Sequence, residues 1–300
     1  MPELPDVTIY VERLQAMVQG QRLATMRIGN PFVLRTYEPQ PDAFTGCRLQ
    51  DVDRIGKRIV LGFEGDLYVV MHLMIAGRLR WRPLGAALHK KQGLAAFDFE
   101  NGSLLFTEAG SKRRAALHLV AGAKELATFD RGGVNVLAIT AEEFGAALRR
   151  ENRTLKRALT DPSIVDGVGN AYSDEILHRA RLSPFKLTQN LTEDEIAELQ
   201  QAAIAVLNEW IERFREEVGA GFPQKVIALR PEMTVHGKYR QPCPVCGAPV
   251  QRIVYAQNEA NYCPICQTGG RLLKDRALSR LLREDWPKTL EELEQRTTNR

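Results

Sequence analysis

Four cysteines in two close pairs constrain the fold of this chain more than any other feature. Cys243-Pro-Val-Cys246 and Cys263-Pro-Ile-Cys266 are separated by sixteen residues. Zinc binds four thiolates in a tetrahedron, and each C-x2-C turn supplies two of them. Because four protein ligands leave no open coordination position, we expect one structural zinc ion that holds a hairpin between the pairs. The alternative is a chance cluster of buried cysteines, and the remaining Cys47 is expected to be a small buried apolar residue.

The segment around these cysteines is basic. Between Phe222 and Arg276 eight lysines and arginines stand against three acidic residues, a net charge of +5, whereas the whole chain of 300 residues has a net charge of +4. A concentrated positive charge of this kind suits a polyanionic partner, although a solvated basic face gives the same pattern. Other features of the sequence have to decide between the two.

Nothing in the sequence indicates a membrane or secreted protein. No stretch reaches the roughly 18 uninterrupted apolar residues that span a bilayer, and the first residues are acidic instead of forming a basic leader. Clustered cysteines fit a reduced thiolate site better than disulfides. We expect a soluble, cytoplasmic protein, which would associate with the nucleoid in a bacterium.

The first half of the chain predicts one helix followed by strands. Apolar residues recur at helical spacing from Leu4 to Val18, Pro5 suits a first helical turn, and Gly20 can end the helix. From about residue 24 to 137, short β-branched and aromatic runs predict an antiparallel β sandwich or barrel. Two of these runs are joined by Asn101-Gly102, which predicts a hairpin turn with positive φ at both residues.

The second half predicts helices. Thr140 with Glu143, and Thr192 with Glu195, fit capping boxes, and an apolar stripe after the second indicates a long helix packed on the core. The run from 166 to 170, Asp-Gly-Val-Gly-Asn, stands between two helix-like segments. It is either a pair of tight turns alone or a site where backbone amides at a helix N-terminus hold a phosphate.

Five motifs in a fixed order complete the pattern. They are Met-Pro-Glu-Leu-Pro-Asp-Val at the start, Gly56-Lys57-Arg58, His72-Leu73 before Gly77, the run from Val165 to Glu175, and Val235-His-Gly-Lys followed by the four cysteines. In these motifs, from residue 1 to about 268, the chain resembles the formamidopyrimidine-DNA glycosylase and endonuclease VIII family.

The resemblance implies an α+β fold in four regions. An N-terminal β sandwich with a flanking helix would occupy residues 1–137, and a helix–two-turn–helix DNA-binding domain residues 138–232. The zinc finger would occupy residues 233–270, and a helical extension without counterpart in the short family members residues 271–300. The implied partner is damaged double-stranded DNA, bound by a monomer.

The resemblance also implies the chemistry. After removal of Met1, the secondary amine of Pro2 would attack sugar C1′, displace the damaged base and leave a covalent iminium, after which elimination cuts the strand. Glu3 would transfer the protons, and Lys57 would place a cation near the phosphate or the leaving base. Taken without the resemblance, Pro2 is a helix-start proline and Lys57 a solvated lysine.

The DNA contacts include positions that depart from the family pattern. The resemblance implies contacts by Lys156 and Asn170, with Glu175 as a support residue. Asn258 stands where members that excise oxidised purines carry an arginine, and Ile75 where a methionine fills the void of the flipped base. The loop with Arg113 and Arg114 continues into Ala115-Ala116, so it lacks the usual aromatic wedge. The segment from 219 to 234 is also shorter than a lesion-capping loop.

We therefore interpret the chain as a bifunctional DNA glycosylase and abasic-site lyase that extrudes its target nucleotide. One alternative is an abasic-site lyase, or a glycosylase for bulky adducts or crosslinks, with little activity on 8-oxoguanine. The other is a non-catalytic zinc-finger DNA-binding protein, against which the joint presence of Pro2, Glu3 and Lys57 argues.

Overall fold

The computed structural model describes residues 1–110, 112–224, 230–255, 258–274 and 287–298. The chain divides into two compact units. The first unit comprises residues 1–131 and 208–228, and the second comprises residues 132–207 and 229–300. Residues 138–207 of the predicted helical domain fall in the same compact unit as the predicted zinc finger, whereas residues 208–228 fall in the first unit.

The first unit contains two antiparallel four-stranded sheets. One sheet has the order β1-β6-β7-β5 and the other the order β2-β3-β4-β8. Helix α1 (Leu4–Val18) precedes the strands, and the short helix α2 (Ala123–Ala127) follows them. The strands are β1 (Leu23–Ile28), β2 (Leu49–Ile55), β3 (Arg58–Phe63), β4 (Leu67–His72), β5 (Gly77–Arg82), β6 (Gly93–Phe99), β7 (Gly102–Glu108) and β8 (Ala116–Ala121).

A single apolar core joins α1 to both sheets. Helix α1 contributes Val7, Leu14 and Val18, all fully buried, which matches the predicted helical spacing. Both sheets add inward-facing side chains to the same cluster, so they pack face to face as a sandwich. The strand contribution includes Leu23, Ile59, Leu61, Phe63, Val69, Met71, Phe97, Phe99, Leu104, Phe106, Leu117 and Leu119.

The hairpin between β6 and β7 forms, but its glycine has another role than predicted. Phe99 pairs with Gly102, so the two turn residues are Glu100 and Asn101, and neither Asn101 nor Gly102 has a positive φ. A Cβ at Gly102 would overlap the indole of Trp81 on the neighbouring strand. Close packing against a large side chain, not turn geometry, therefore requires glycine here.

The second unit is mostly helical. Its first helices are α3 (Ala141–Arg149), α4 (Leu155–Thr160) and α5 (Asn170–Arg179), and α6 (Glu193–Val218) continues into the first unit beyond Leu207. Strands β9 (Gln251–Tyr255) and β10 (Asn258–Tyr262) form the hairpin expected between the cysteine pairs, followed by α7 (Pro264–Thr268) and α8 (Leu290–Thr298).

Both predicted capping boxes are present. Glu143 N–H donates to Oγ1 of Thr140 at 3.2 Å, and Glu195 N–H donates to Oγ1 of Thr192 at the same distance. The predicted helical extension, residues 271–300, falls partly outside the described residues, since 275–286 and 299–300 are not among them. Within the described part of the chain, no helix combines the length and apolar character that crossing a membrane requires.

Two turns separate α4 from α5. The N–H groups of Ile164 and Val165 donate to the carbonyl of Asp161 at 3.0 and 2.9 Å, and Gly167 adopts φ +76° in the second turn. Asp166 N–H donates to the carbonyl of Val134 at 2.9 Å, which anchors the turns to the start of the unit. The helix, two turns and helix predicted from the sequence are therefore present.

Candidate active site and metal centre

In the first unit, Pro2 and Glu3 are buried at the start of α1. Glu3 occupies the N-cap of the helix, and its backbone N–H donates to Oδ2 of Asp6 at 2.9 Å. The two acidic residues form a reciprocal capping box, and Pro5 lies in the first turn, where its missing N–H costs nothing. The helix thus holds the carboxylate of Glu3 directly beside Pro2.

Burial at the N-terminus favours a neutral amine. Burial lowers the pKa of the Met1 amine below its usual value of 8.0, and the cations of Arg78 and Lys57 lower this pKa further, while Glu3 and Asp6 oppose the shift. A neutral amine is the nucleophilic form. The sequence interpretation named Lys57 and missed Arg78, which is one of several arginines in β5 with no distinguishing pattern.

Lys57 lies in the two-residue turn between β2 and β3. Ile55 pairs with Arg58, which leaves Gly56, at φ +62°, and Lys57 as the turn residues. His72 ends β4 directly opposite Arg58. Burial lowers the pKa of His72 to about 4, and the nearby cations Arg58 and Lys57 act in the same direction. At neutral pH this imidazole is therefore uncharged and available as a hydrogen-bonding group.

Ile75 lies at the tip of the turn between β4 and β5. Its side chain is 61% exposed, an unusual environment for isoleucine. The turn is tight, since Gly77 N–H donates to the carbonyl of Leu73 at 2.8 Å and Met74 adopts φ +52°. Nη1 of Arg78 donates to the carbonyl of Ile75 at 3.0 Å. A tight turn thus presents one apolar side chain to solvent.

The loop after β7 presents Arg113 and Arg114, which are both exposed. The carboxylate of Glu108, itself buried, accepts from the N–H of Arg114 at 3.0 Å and of Ala115 at 3.2 Å. Ala115 and Ala116 are buried in the sandwich. The loop therefore presents two exposed guanidinium groups, followed by two alanines whose side chains are buried.

In the second unit, Asn170 opens α5 and is half-buried. Lys156 has only 2% of its surface exposed, and its ammonium donates to the carbonyl of Asn170 at 2.6 Å, to Oγ of Ser173 at 2.8 Å and to Oδ1 of Asp174 at 2.6 Å. All three N–H groups thus bind internal acceptors. The ammonium thereby holds the first turn of α5, and a DNA contact by Lys156 stays a prediction.

Asp174 and Glu175 extend this network from α5 to the zinc region. Oδ2 of Asp174 lies 2.8 Å from Nδ1 of His236 and accepts from the backbone and side-chain N–H groups of Asn261 at 3.1 and 3.2 Å. The carboxylate of Glu175 accepts from the backbone N–H groups of Thr234, Val235 and His236 at 2.7, 2.9 and 2.9 Å. Glu175 thus joins α5 to the zinc region, and Asp174 is a second such link that the sequence interpretation missed.

The four cysteines of the two C-x2-C pairs come together. Sγ of Cys243 lies 3.9 Å from that of Cys266, and Sγ of Cys246 lies 3.3 Å from that of Cys263. Disulfide sulfurs are about 2 Å apart, whereas sulfurs around tetrahedral zinc, each about 2.3 Å from the metal, are close to 3.8 Å apart. All five cysteines are free thiols. The donor set fits a closed zinc site.

Nε2 of the buried His178 lies 3.3 Å from Sγ of Cys243, so a histidine from α5 adjoins the cysteine cluster. No pattern around His178 in the sequence predicted this contact. Asn258 begins β10 opposite Tyr255, and its side chain lies outside the described part of the structure.

Comparison with known proteins gives three domain matches. Residues 1–115 match the formamidopyrimidine-DNA glycosylase N-terminal domain, and residues 135–219 match the formamidopyrimidine-DNA glycosylase H2TH domain. Residues 240–269 match the zinc finger found in FPG and IleRS.

Similar proteins match over most of their length. The formamidopyrimidine-DNA glycosylase of Thermus thermophilus is 33% identical over 286 residues, which cover 90% of this chain and 100% of that protein. An uncharacterized formamidopyrimidine-DNA glycosylase-like protein of Mycobacterium tuberculosis is 37% identical over 151 residues, 50% of this chain and 94% of its own. A crystal structure of the Lactococcus lactis glycosylase bound to DNA containing an abasic site is 26% identical, with a TM-score of 0.77, and covers 89% of this chain and 99% of that one.

Proposed function

Since the chain belongs to the formamidopyrimidine-DNA glycosylase and endonuclease VIII family, we propose that it is a DNA base-excision repair enzyme. It acts as a bifunctional DNA glycosylase and abasic-site lyase on damaged double-stranded DNA. The observation that carries the proposal is the N-terminal cluster: Pro2 is buried next to the capping residue Glu3, and burial, aided by the cations of Arg78 and Lys57, lowers the pKa of the Met1 amine. The same surroundings would act on the amine of Pro2 once Met1 is removed.

Pro2 is the nucleophile after Met1 is removed. Its secondary amine attacks C1′ of the extruded nucleotide, the bond from C1′ to the base breaks, and the base leaves with the bonding electron pair and a proton. Glu3 protonates the ring oxygen, which opens the sugar and leaves an iminium between C1′ and the proline nitrogen. Loss of a C2′ proton then expels the 3′ phosphate, and water releases the opened sugar.

The remaining residues bind and position DNA. Asn170 offers its side chain at the N-terminus of α5, where a helix favours a phosphate. Arg113 and Arg114 contact the backbone near the lesion, and Ile75 enters the space left by the extruded base. One zinc ion, held by the four cysteines, keeps the β9–β10 hairpin folded and supplies no catalytic chemistry. The enzyme works as a monomer.

Borohydride trapping on abasic-site DNA tests this proposal. A reducible iminium becomes a stable covalent adduct, which gel electrophoresis detects, and intact mass of the active enzyme should show that Met1 is absent. Pro2→Gly should weaken trapping. The control Pro5→Ala changes the same helix start without altering the amine and should trap like wild type. Full activity of an enzyme that retains Met1, or an absent adduct, would exclude Pro2 as the nucleophile.

A second candidate function is favoured by the loop after β7. Because Ala115 and Ala116 are buried, no side chain there can replace the lost base stacking. The enzyme would then act mainly as an abasic-site lyase, or on lesions that already distort the duplex. Trapping on abasic-site DNA without excision of base lesions would favour this second function, whereas DNA binding without any adduct would indicate a non-catalytic protein.

A further inference from the structure

His178 is buried against a cysteine of the proposed zinc site. It lies in the last turns of α5 with 6% of its surface exposed, and Cys243 is 2% exposed. The 3.3 Å between Nε2 of the imidazole and Sγ of Cys243 is a hydrogen-bonding distance for sulfur. A thiolate can only accept, so the contact requires the tautomer that carries its hydrogen on Nε2.

The charge of the site explains why such a donor matters. Zinc with four thiolates has a net charge of −2, and burying a charge is costly unless hydrogen bonds compensate it. Charge-assisted hydrogen bonds are about twice as strong as neutral ones. Backbone groups supply part of the compensation, as in the N–H of Cys266 that donates to Sγ of Cys263 at 3.5 Å. An imidazole N–H reaches Cys243 from a different element.

The alternative role for His178 is that of a ligand. Its Nε2 and the sulfurs of Cys243, Cys263 and Cys266 all lie within 4.8 Å of one another, a grouping that could itself hold a metal ion. Cys246, however, is 3.3 Å from Cys263 by their sulfurs. Four thiolates complete the tetrahedron and leave no coordination position for the imidazole.

We propose that His178 is a positioning residue of the zinc centre, donating Nε2–H to the thiolate of Cys243 and thereby joining α5 to the metal site. The inference rests on the structural zinc of the proposed function. His178 follows Asp174 by four residues and Glu175 by three, spacings that place its side chain next to both on α5. All three contact the zinc region, and Asn170 begins the same helix about 12 Å away.

Zinc release from the full-length, zinc-loaded protein tests the role of the donor. His178→Phe keeps a ring of similar size without the N–H, whereas His178→Gln can place an amide N–H near the position of Nε2. Loss of a residue that hydrogen-bonds a metal ligand typically lowers metal affinity about 10- to 100-fold. We expect His178→Phe to lose zinc to a chelator faster by about that factor, and His178→Gln to stay close to wild type. His89→Phe, at an exposed histidine of the first unit, is the control.

The outcomes separate this inference from the proposed function. Equal release rates for wild type and His178→Phe would overturn it, as would equally fast release from His178→Gln when circular dichroism shows both variants folded. The absorption spectrum of the cobalt-substituted protein distinguishes four thiolates from three thiolates and an imidazole, and the second result would make His178 a ligand and overturn the proposal. A wild-type protein without zinc would overturn it too, while borohydride trapping reports on the Pro2 mechanism independently.

Discussion

The family resemblance implies a role at the DNA for both Lys57 and Lys156, yet their ammonium groups meet different surroundings. Lys57 is half-buried in a turn and lowers the pKa of the N-terminal amine. Lys156 is buried and donates to three internal acceptors. Because a lysine ammonium has three N–H groups, Lys156 has no donor left for a phosphate. At the scale of single residues, the local acceptors therefore determine the role of each cation.

Arg78 gives a pH-dependence prediction at this scale. The neutral amine is the nucleophile, so the rate rises with pH through the amine pKa, and a nearby cation moves that rise to lower pH. Removing the cation in Arg78→Gln should raise the pKa and shift the acidic limb of the pH–rate profile to higher pH. The comparison is Arg82→Gln on the same strand, which is not among the groups that shift the amine. Identical acidic limbs for the two variants would remove Arg78 from the mechanism.

Glu3→Gln separates proton transfer from structure. The amide oxygen of glutamine can still accept from the backbone in the capping box, but the side chain cannot exchange a proton at neutral pH. We expect base release in single turnovers to slow by about 10² to 10⁴, the usual contribution of general acid–base catalysis. The melting temperature should stay unchanged. Glu142→Gln, at an exposed position of α3, controls for loss of one negative charge, and a wild-type rate in Glu3→Gln would contradict the assigned role.

At the scale of elements, α5 connects the two-turn motif to the zinc region. Its residues 171–178 are all buried. Lys156 of α4 and Asn261 of β10 meet at the carboxylate of Asp174. A short helix would be marginal alone, since isolated helices of fewer than about 12 residues are rarely stable in water. Tertiary contacts of its acidic side chains therefore stabilise α5.

A double-mutant cycle tests whether the buried ion pair of Lys156 and Asp174 stabilises the protein. Removing one member of a buried ion pair typically costs about 3 to 5 kcal/mol, because the other charge stays uncompensated. Lys156→Met should lower the free energy of unfolding by about that amount, measured by urea denaturation. Adding Asp174→Asn should cost less than the sum of the single variants, since no lone charge is left. Exposed Lys112→Met is the control, and additive effects would show that the pair is not coupled.

At the scale of the whole molecule, the departures from the family pattern concern the substrate. Asn258 cannot offer the permanently charged, bidentate fork of an arginine, and charge-assisted contacts to phosphate are about twice as strong as neutral ones. The buried Ala115 and Ala116 return no stacking energy to an opened duplex. Unstacking a base costs a few kcal/mol, and each 1.36 kcal/mol changes a rate tenfold.

We therefore expect abasic sites to be cleaved faster than 8-oxoguanine paired with cytosine is excised, by about tenfold or more. Single-turnover rates on duplexes that differ only in the lesion measure this ratio. Asn258→Arg introduces the charged, bidentate guanidinium group and should accelerate 8-oxoguanine excision more than abasic-site cleavage. Equal rates on the two lesions would mean that other contacts compensate for these departures.

Features that depend on neighbours in the sequence were predictable. Spacing in the sequence predicted the extent of α1, both capping boxes, the β6–β7 hairpin and the meeting of the four cysteines. Each of these features involves hydrogen bonds or metal ligands a few residues apart, or a pattern that repeats along the chain. The zinc site also follows from composition, since thiolates in C-x2-C turns have few other uses. The family was evident from motifs in Met1 to Lys238 and the cysteines.

The tertiary structure alone decided which distant groups meet. Gly102 lies in β7 and not in the β6–β7 turn. It packs on Trp81, because the strand register places the indole beside it. Lys156 is internal, Arg78 acts on the N-terminus, and His178 adjoins Cys243, 65 residues further along the chain. Each of these contacts depends on the packing of separate elements. The residues next to a side chain in the sequence do not indicate which distant residue it will contact.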